Sequence, residues 1–127
     1  MRIVVLLAAL ALVAGCGEDD ETEAPASTPA LADLTVVVND GSDEKTADIQ
    51  CDGATDSDVC GAVADLESKT FEPVPGNVAC TQQYGGPETA TVSGTLRGEP
   101  VDAKFSRENG CEIERWEAAK PLFDAAE

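Results

Sequence analysis

The side chains able to do chemistry in this chain are cysteines, carboxylates and amides; of its 127 residues none is histidine. That removes Ser-His-Asp and Cys-His nucleophilic arrangements, in which an imidazole takes the proton of the attacking group. Nor does a glycine-rich GxxxxGK[ST] loop occur to cradle phosphates. The 25 Asp and Glu residues offer carboxylates for acid–base work, but they fall on turns and exposed helix faces, where charge is simply solvated. One metal pattern stands out: "DSDVCGAVADLE" puts Asp56, Asp58, Gly61 and Glu67 at ligand or turn positions 1, 3, 6 and 12 of a calcium loop. Position 5 is Cys60, which brings no hard oxygen when disulfide-bonded, and the same residues read well as a capped amphipathic helix. The expectation is a protein that is not an enzyme and uses no metal or cofactor. What remains is "CTQQYGGPE", residues 80–88: a cysteine, two glutamines, a tyrosine and a stiff Gly-Gly-Pro bend. A glutamine pair has no reactivity of its own. Any use of this segment lies in its shape.

The start of the chain indicates where such a shape would work. Arg2 precedes twelve apolar residues, 3–14, then Gly15 and Cys16. Twelve residues are too few to cross a hydrocarbon core, which needs about 20, and the pattern reads as an export signal over 1–15. Its end, "VAGC", resembles the lipobox of bacterial lipoproteins, in which the cysteine receives a diacylglycerol (and commonly a further fatty acid such as palmitate). The alternative is a plain secretory signal with Cys16 entering a disulfide. Cysteine parity favours the lipid: of five cysteines, lipidation of Cys16 leaves Cys51, Cys60, Cys80 and Cys111 to pair outside the cell, and four allow three pairings. The expected place is the outer face of the cell membrane.

Residues 16–33 are acidic, contain two prolines and carry little apolar surface, the composition of a disordered tether. Removing Arg2 with the signal leaves seven basic side chains against 25 acidic, a balance of −18. Nucleic acid, whose phosphates are bound by Lys and Arg, is not an expected partner. Solubility alone accounts for the charge.

The elements that must position residues 80–88 lie in one small domain, 34–127. "LTVVVN" alternates Leu34, Val36 and Val38 on one face, as a strand does. "DGSDE" is a turn, and "KTADIQC" returns as a second strand. "TDSDVCGAVADLES" spaces Val59, Ala62, Val63 and Leu66 for a helix, with Thr55 or Ser57 as N-cap and Asp56 and Asp58 complementing its dipole. Cys51 and Cys60 could then meet across a short loop. "FEPVPGN" interrupts regular structure. "TATVSGTLRG" and "PVDAKFSR" form a hairpin about the turn "GEP", Asn109–Gly110 marks another turn, and Cys111 begins a short helix ending at Lys120, before Pro121. Strands, helix, strands, helix is an α+β order with helices packed on an antiparallel sheet.

Over residues 49–123 the chain resembles the subtilisin inhibitor-like family of actinobacteria. The matching residues are Cys51, Cys60 and Leu66, "VAC" at 78–80, Tyr84 with Pro87, "TVSGTLRGEPV", and Phe105 to Cys111 as "FSRENGC". The resemblance implies a five-stranded antiparallel sheet with two helices, often as a homodimer, and disulfides joining neighbours: Cys51–Cys60 and Cys80–Cys111. It also implies that the chain inhibits an extracellular serine endopeptidase, subtilisin-like or trypsin-like. The inhibitory bond would be Gln82–Gln83, flanked by Cys80 and Thr81 before it and Tyr84 after it. Gln82 is polar where subtilisin favours a large apolar side chain, and Thr81 stands where the family commonly has proline. A second reading keeps the fold without inhibition, as an envelope binding or interaction lipoprotein.

Overall fold

Alternating burial builds the sheet. The computed structural model describes residues 29–127; the expected signal over 1–15, Cys16 with its lipid, and the tether as far as residue 28 lie outside the described residues. Strand β1 (Ala32–Asn39) opens two residues upstream of Leu34 and buries Ala32, Leu34, Val36 and Val38 on one face. It pairs antiparallel with β2 (Glu44–Cys51) on one side and β3 (Thr89–Leu96) on the other, and β3 pairs with β4 (Glu99–Phe105). The order is β2-β1-β3-β4, a four-stranded antiparallel sheet. The five strands implied by the family resemblance are therefore not matched. Of the stretch 72–88, which carries no strand, Pro73, Pro75 and Pro87 each lack the N–H a ladder needs.

Turn chemistry fixes the register. Between β1 and β2, Asp40 accepts hydrogen bonds from the N–H groups of Ser42 and Asp43, both at 2.8 Å. Those bonds hold its carboxyl below the ordinary value of 3.8. Between β3 and β4 the turn is Arg97–Gly98 rather than "GEP": Leu96 pairs with Glu99, and both turn residues have positive φ, 51° and 80°, as a two-residue primed turn requires. The Arg97 guanidinium then donates to the carbonyls of Val63 and Ala64 at 3.5 and 2.5 Å, satisfying the open end of the first helix.

Both helices pack on the buried face. In α1 (Asp58–Asp65) Ser57 is the N-cap, its side chain accepting from the N–H of Cys60. Asp56 lies outside the helix, and its Oδ2 accepts from the N–H groups of Asp52 and Gly53 at 2.7 and 3.0 Å. The Cys51–Cys60 disulfide, Cα atoms 5.6 Å apart, staples α1 to the end of β2. A single 3₁₀ turn, Ser68–Phe71, follows.

Helix α2 (Gly110–Asp124) is longer than the expected 111–120 and contains Pro121. Proline breaks a helix interior at a cost of about 3 kcal/mol, yet the next two residues, Leu122 and Phe123, are 0% and 3% exposed. Burying two such side chains is worth about 1.5–3 kcal/mol each, which outweighs one lost bond in the final turn. Trp116, Phe123, Phe105 and Phe71 meet in a chain of ring contacts with centroids 4.4–6.3 Å apart. The core is thus one layer between sheet and helices. The opposite sheet face is open and polar, with Thr91, Ser93 and Thr95 exposed.

Candidate functional site

Residues 81–84 belong to no helix, strand or turn, and Thr81, Gln82, Gln83 and Tyr84 are all exposed. Two limbs hold this segment, and both are fixed to the residues leading into α2. On the upstream limb, half-buried Cys80 is bonded to Cys111 in the first turn of α2, with Cα atoms 5.3 Å apart. The carbonyl of Thr81 accepts from the N–H of Gly110 at 3.0 Å. On the downstream limb, the N–H of Gly85 donates to the carbonyl of Arg107 at 2.7 Å. Between those two backbone bonds stand Gln82, Gln83 and Tyr84.

Local sequence explains how α2 comes to offer both partners. Asn109 is the N-cap of α2: its Oδ1 accepts from the N–H of Glu112 at 3.0 Å. Asn109–Gly110, expected as a turn, is therefore a helix start. Its signal was present, since Asn followed three residues later by Glu resembles a capping box. Gly110 leaves room for the Thr81 side chain, whose Oγ1 would have to turn aside from a Cβ placed there. Gly86 is needed for conformation as well: its φ is 139°, and a Cβ would run into the Glu88 carboxylate. Glu88 folds back to meet Arg107, with Oε1 to Nη1 3.3 Å, and the guanidinium carbon lies 5.9 Å from the Trp116 ring centroid.

Two of the molecule's features concentrate here. Among the described residues the exposed large hydrophobic side chains are Val78, at 49%, and Tyr84, at 67%. Val78 sits before the upstream limb and Tyr84 after the glutamine pair. An open groove lined by Val74, Pro75, Val78, Cys111, Arg115 and Ala118 flanks the Cys80–Cys111 bond.

The loop also has a fixed place on the sheet. It leads directly into β3 at Thr89, which pairs with Asn39 at the far end of β1. Pro87 lies against the β1–β2 turn, close to Gly41. The chain enters β1 at Ala32, opposite Leu96 and Cys51. Those ends are separated by the length of an eight-residue strand, roughly 25 Å at about 3.3 Å per residue.

Of the residues singled out from sequence, the structure joins Cys51 to Cys60 and Cys80 to Cys111, and it gathers Cys80, Thr81, Gln82, Gln83 and Tyr84 on one exposed loop. Glu88 closes the stretch "CTQQYGGPE", and Arg107 and Gly110 fall in "FSRENGC", but none of the three was expected to hold the loop. Nothing in their spacing marks them, since their contacts cross between segments more than 15 residues apart. Among the described residues no group of three or more His, Cys, Asp or Glu side chains is arranged to hold a metal. No described helix is long and apolar enough to cross a membrane. Comparison with protein-family models, with curated proteins and with solved structures finds no match.

Proposed function

We propose that this chain is an exported, lipid-anchored inhibitor of a serine endopeptidase, subtilisin-like or trypsin-like, and that Gln82–Gln83 is the bond it presents. The observation that carries the reading is the double-limbed loop: Thr81 and Gly85 are tied to Gly110 and Arg107, leaving Gln82 and Gln83 exposed between them. An endopeptidase takes hold of an exposed backbone segment and attacks its carbonyl while backbone donors stabilise the oxyanion. A loop already held at both limbs loses little further freedom on binding, so more of its contact energy appears as affinity. Attack by the protease serine at the Gln82 carbonyl releases the amine of Gln83. Held in place, that amine reattacks the acyl carbon faster than water does, and the bond is restored. The amides themselves do nothing in this scheme; position does everything.

Export and lipidation at Cys16 would place the domain on the outer face of the cell membrane. Titration of the purified domain, residues 29–127, against a panel of both protease classes tests the proposal. Stoichiometric loss of activity with at most slow cleavage between Gln82 and Gln83 supports it; rapid turnover of that bond across the panel overturns it.

A second reading, an envelope interaction module of the same fold without inhibition, draws on the exposure of Val78 and Tyr84, which suits any partner with apolar pockets. It predicts loop-dependent binding to a partner that is not a protease.

A further inference from the structure

The two limbs of the loop are held by different chemistry. The upstream limb carries the acyl group after attack and is fixed covalently through Cys80–Cys111. The downstream limb carries the released amine and has no covalent tie among residues 83–88. Gly85 packs on Ile113, whose Cδ1 and Cγ1 would lie 3.0 and 3.1 Å from a Cβ there, and Pro87 lies against Gly41; the polar contacts of the limb converge on Arg107. The carbonyl of Arg107 accepts from Gly85, and a Cβ on Gly85 would lie 3.2 Å from that of Arg107, so backbone and side-chain stem are in close contact. The guanidinium reaches forward to Glu88 at 3.3 Å and lies over Trp116 at 5.9 Å. Trp116 is itself 7% exposed and packed in the core. Both charged side chains are only 27% and 31% exposed, and Arg107 Nε and Glu88 Oε2 are buried without partners. A pair withdrawn from water in this way is screened less than a surface pair.

We propose that Arg107, paired with Glu88 and seated on Trp116, is the positioning residue that retains the downstream limb, and with it the amine of Gln83, beside the acyl carbon. The inference rests on the inhibitory reading above. In the reaction, the serine oxygen forms a bond to the Gln82 carbonyl carbon, the C–N bond to Gln83 breaks, and the nitrogen takes a proton from the protease's general acid. Religation runs the same steps backward. Arg107 enters neither bond; it sets how far the nitrogen can drift before water replaces it.

The test uses Arg107→Met, which removes charge while keeping an unbranched stem, Glu88→Gln, and the two together. Each single variant should raise the rate of net hydrolysis at Gln82–Gln83 about tenfold, the scale of losing one partner of a half-buried ion pair. The double variant should do little more, because the two groups act as one pair. Amide exchange at Gly85 should quicken by a similar factor, while exchange at Gly110, on the other limb, stays unchanged. Equal hydrolysis and equal Gly85 exchange in wild type and variants would overturn the assignment, as would a uniform rise in exchange across the whole domain. If the wild-type domain inhibits nothing, the inhibitory reading fails and Gly85 exchange alone judges the brace. If Arg107→Met does not fold, Glu88→Gln carries the same readouts.

Discussion

Gly110 is where the upstream limb of the loop meets the first turn of α2. Its N–H holds the Thr81 carbonyl at 3.0 Å, and the space a side chain would need is occupied by Oγ1 of Thr81. Alanine here gains at most about 1 kcal/mol of helix propensity, but the Thr81 hydroxyl, on an exposed side chain, must turn aside to admit the new Cβ. Gly110→Ala should therefore change stability by no more than about 1 kcal/mol and lower inhibition, because the side chain it displaces neighbours Gln82 on the upstream limb. Adding Thr81→Ala, which removes the obstructing hydroxyl, should restore much of the inhibition. Denaturant unfolding and inhibition titrations of the single and double variants measure this; an unaltered inhibition constant in Gly110→Ala would contradict it. The neighbouring residues show what sequence could and could not reveal. Asn109 with Glu112 carried a readable helix-start pattern, while the turn at Arg97–Gly98 hid behind a non-glycine residue at φ 51°. Arg107 stood inside the matching stretch "FSRENGC", but its pairing with Glu88 carried no signal, because only the fold brings the two together.

At the scale of elements, three strands were legible because apolar residues alternate along them: Leu34, Val36 and Val38 in β1, Ala90 and Val92 in β3, Val101, Ala103 and Phe105 in β4; β2, buried only at Ile49 and Cys51, was legible as the return from the turn "DGSDE". The end of α2 was not, because Pro121 suggested a stop while Leu122 and Phe123 keep the last turn docked in the core. The fifth strand came from resemblance alone and is not matched. The disulfides separate the work of two elements. Cys51–Cys60 encloses a ten-residue stretch from β2 to α1, worth about 2.5–3 kcal/mol in the chain-entropy model. Cys80–Cys111 encloses 32 residues, worth roughly 3–4 kcal/mol in the same model, and it also anchors the loop. Replacing Cys51 and Cys60 by serine should lower the melting temperature and leave inhibition nearly intact. Replacing Cys80 and Cys111 should lower both, and convert Gln82–Gln83 into a good substrate. Paired melting and inhibition measurements check this; equal effects on inhibition from the two pairs would argue against a bracing role.

For the whole molecule, 25 acidic against eight basic side chains give a formal charge of −17, of which residues 29–127 carry 20 acidic and seven basic, a balance of −13. Such an excess destabilises the compact state by self-repulsion, and salt screens it over about 10 Å at 0.1 M. The melting temperature of the domain should rise between about 10 mM and 0.5 M sodium chloride; a fall would mean that its few ion pairs, such as Glu88–Arg107 and Glu112–Arg115, outweigh the repulsion. The arrangement of the sheet has a second consequence. The chain enters at Ala32 and the loop leaves beside Thr89, at opposite ends of β1. A domain tethered from its amino end would present the loop at the pole remote from the attachment.

An inhibitory backbone is one that a protease binds and does not consume. The domain is mixed with increasing amounts of a subtilisin-like and a trypsin-like protease, and residual activity and intact chain are followed together over hours. An inhibitor gives, with at least one of them, a linear loss of activity to an equimolar end point with the chain largely uncut or cut only between Gln82 and Gln83. Undiminished activity of every protease tried, with the loop rapidly degraded, would contradict inhibition.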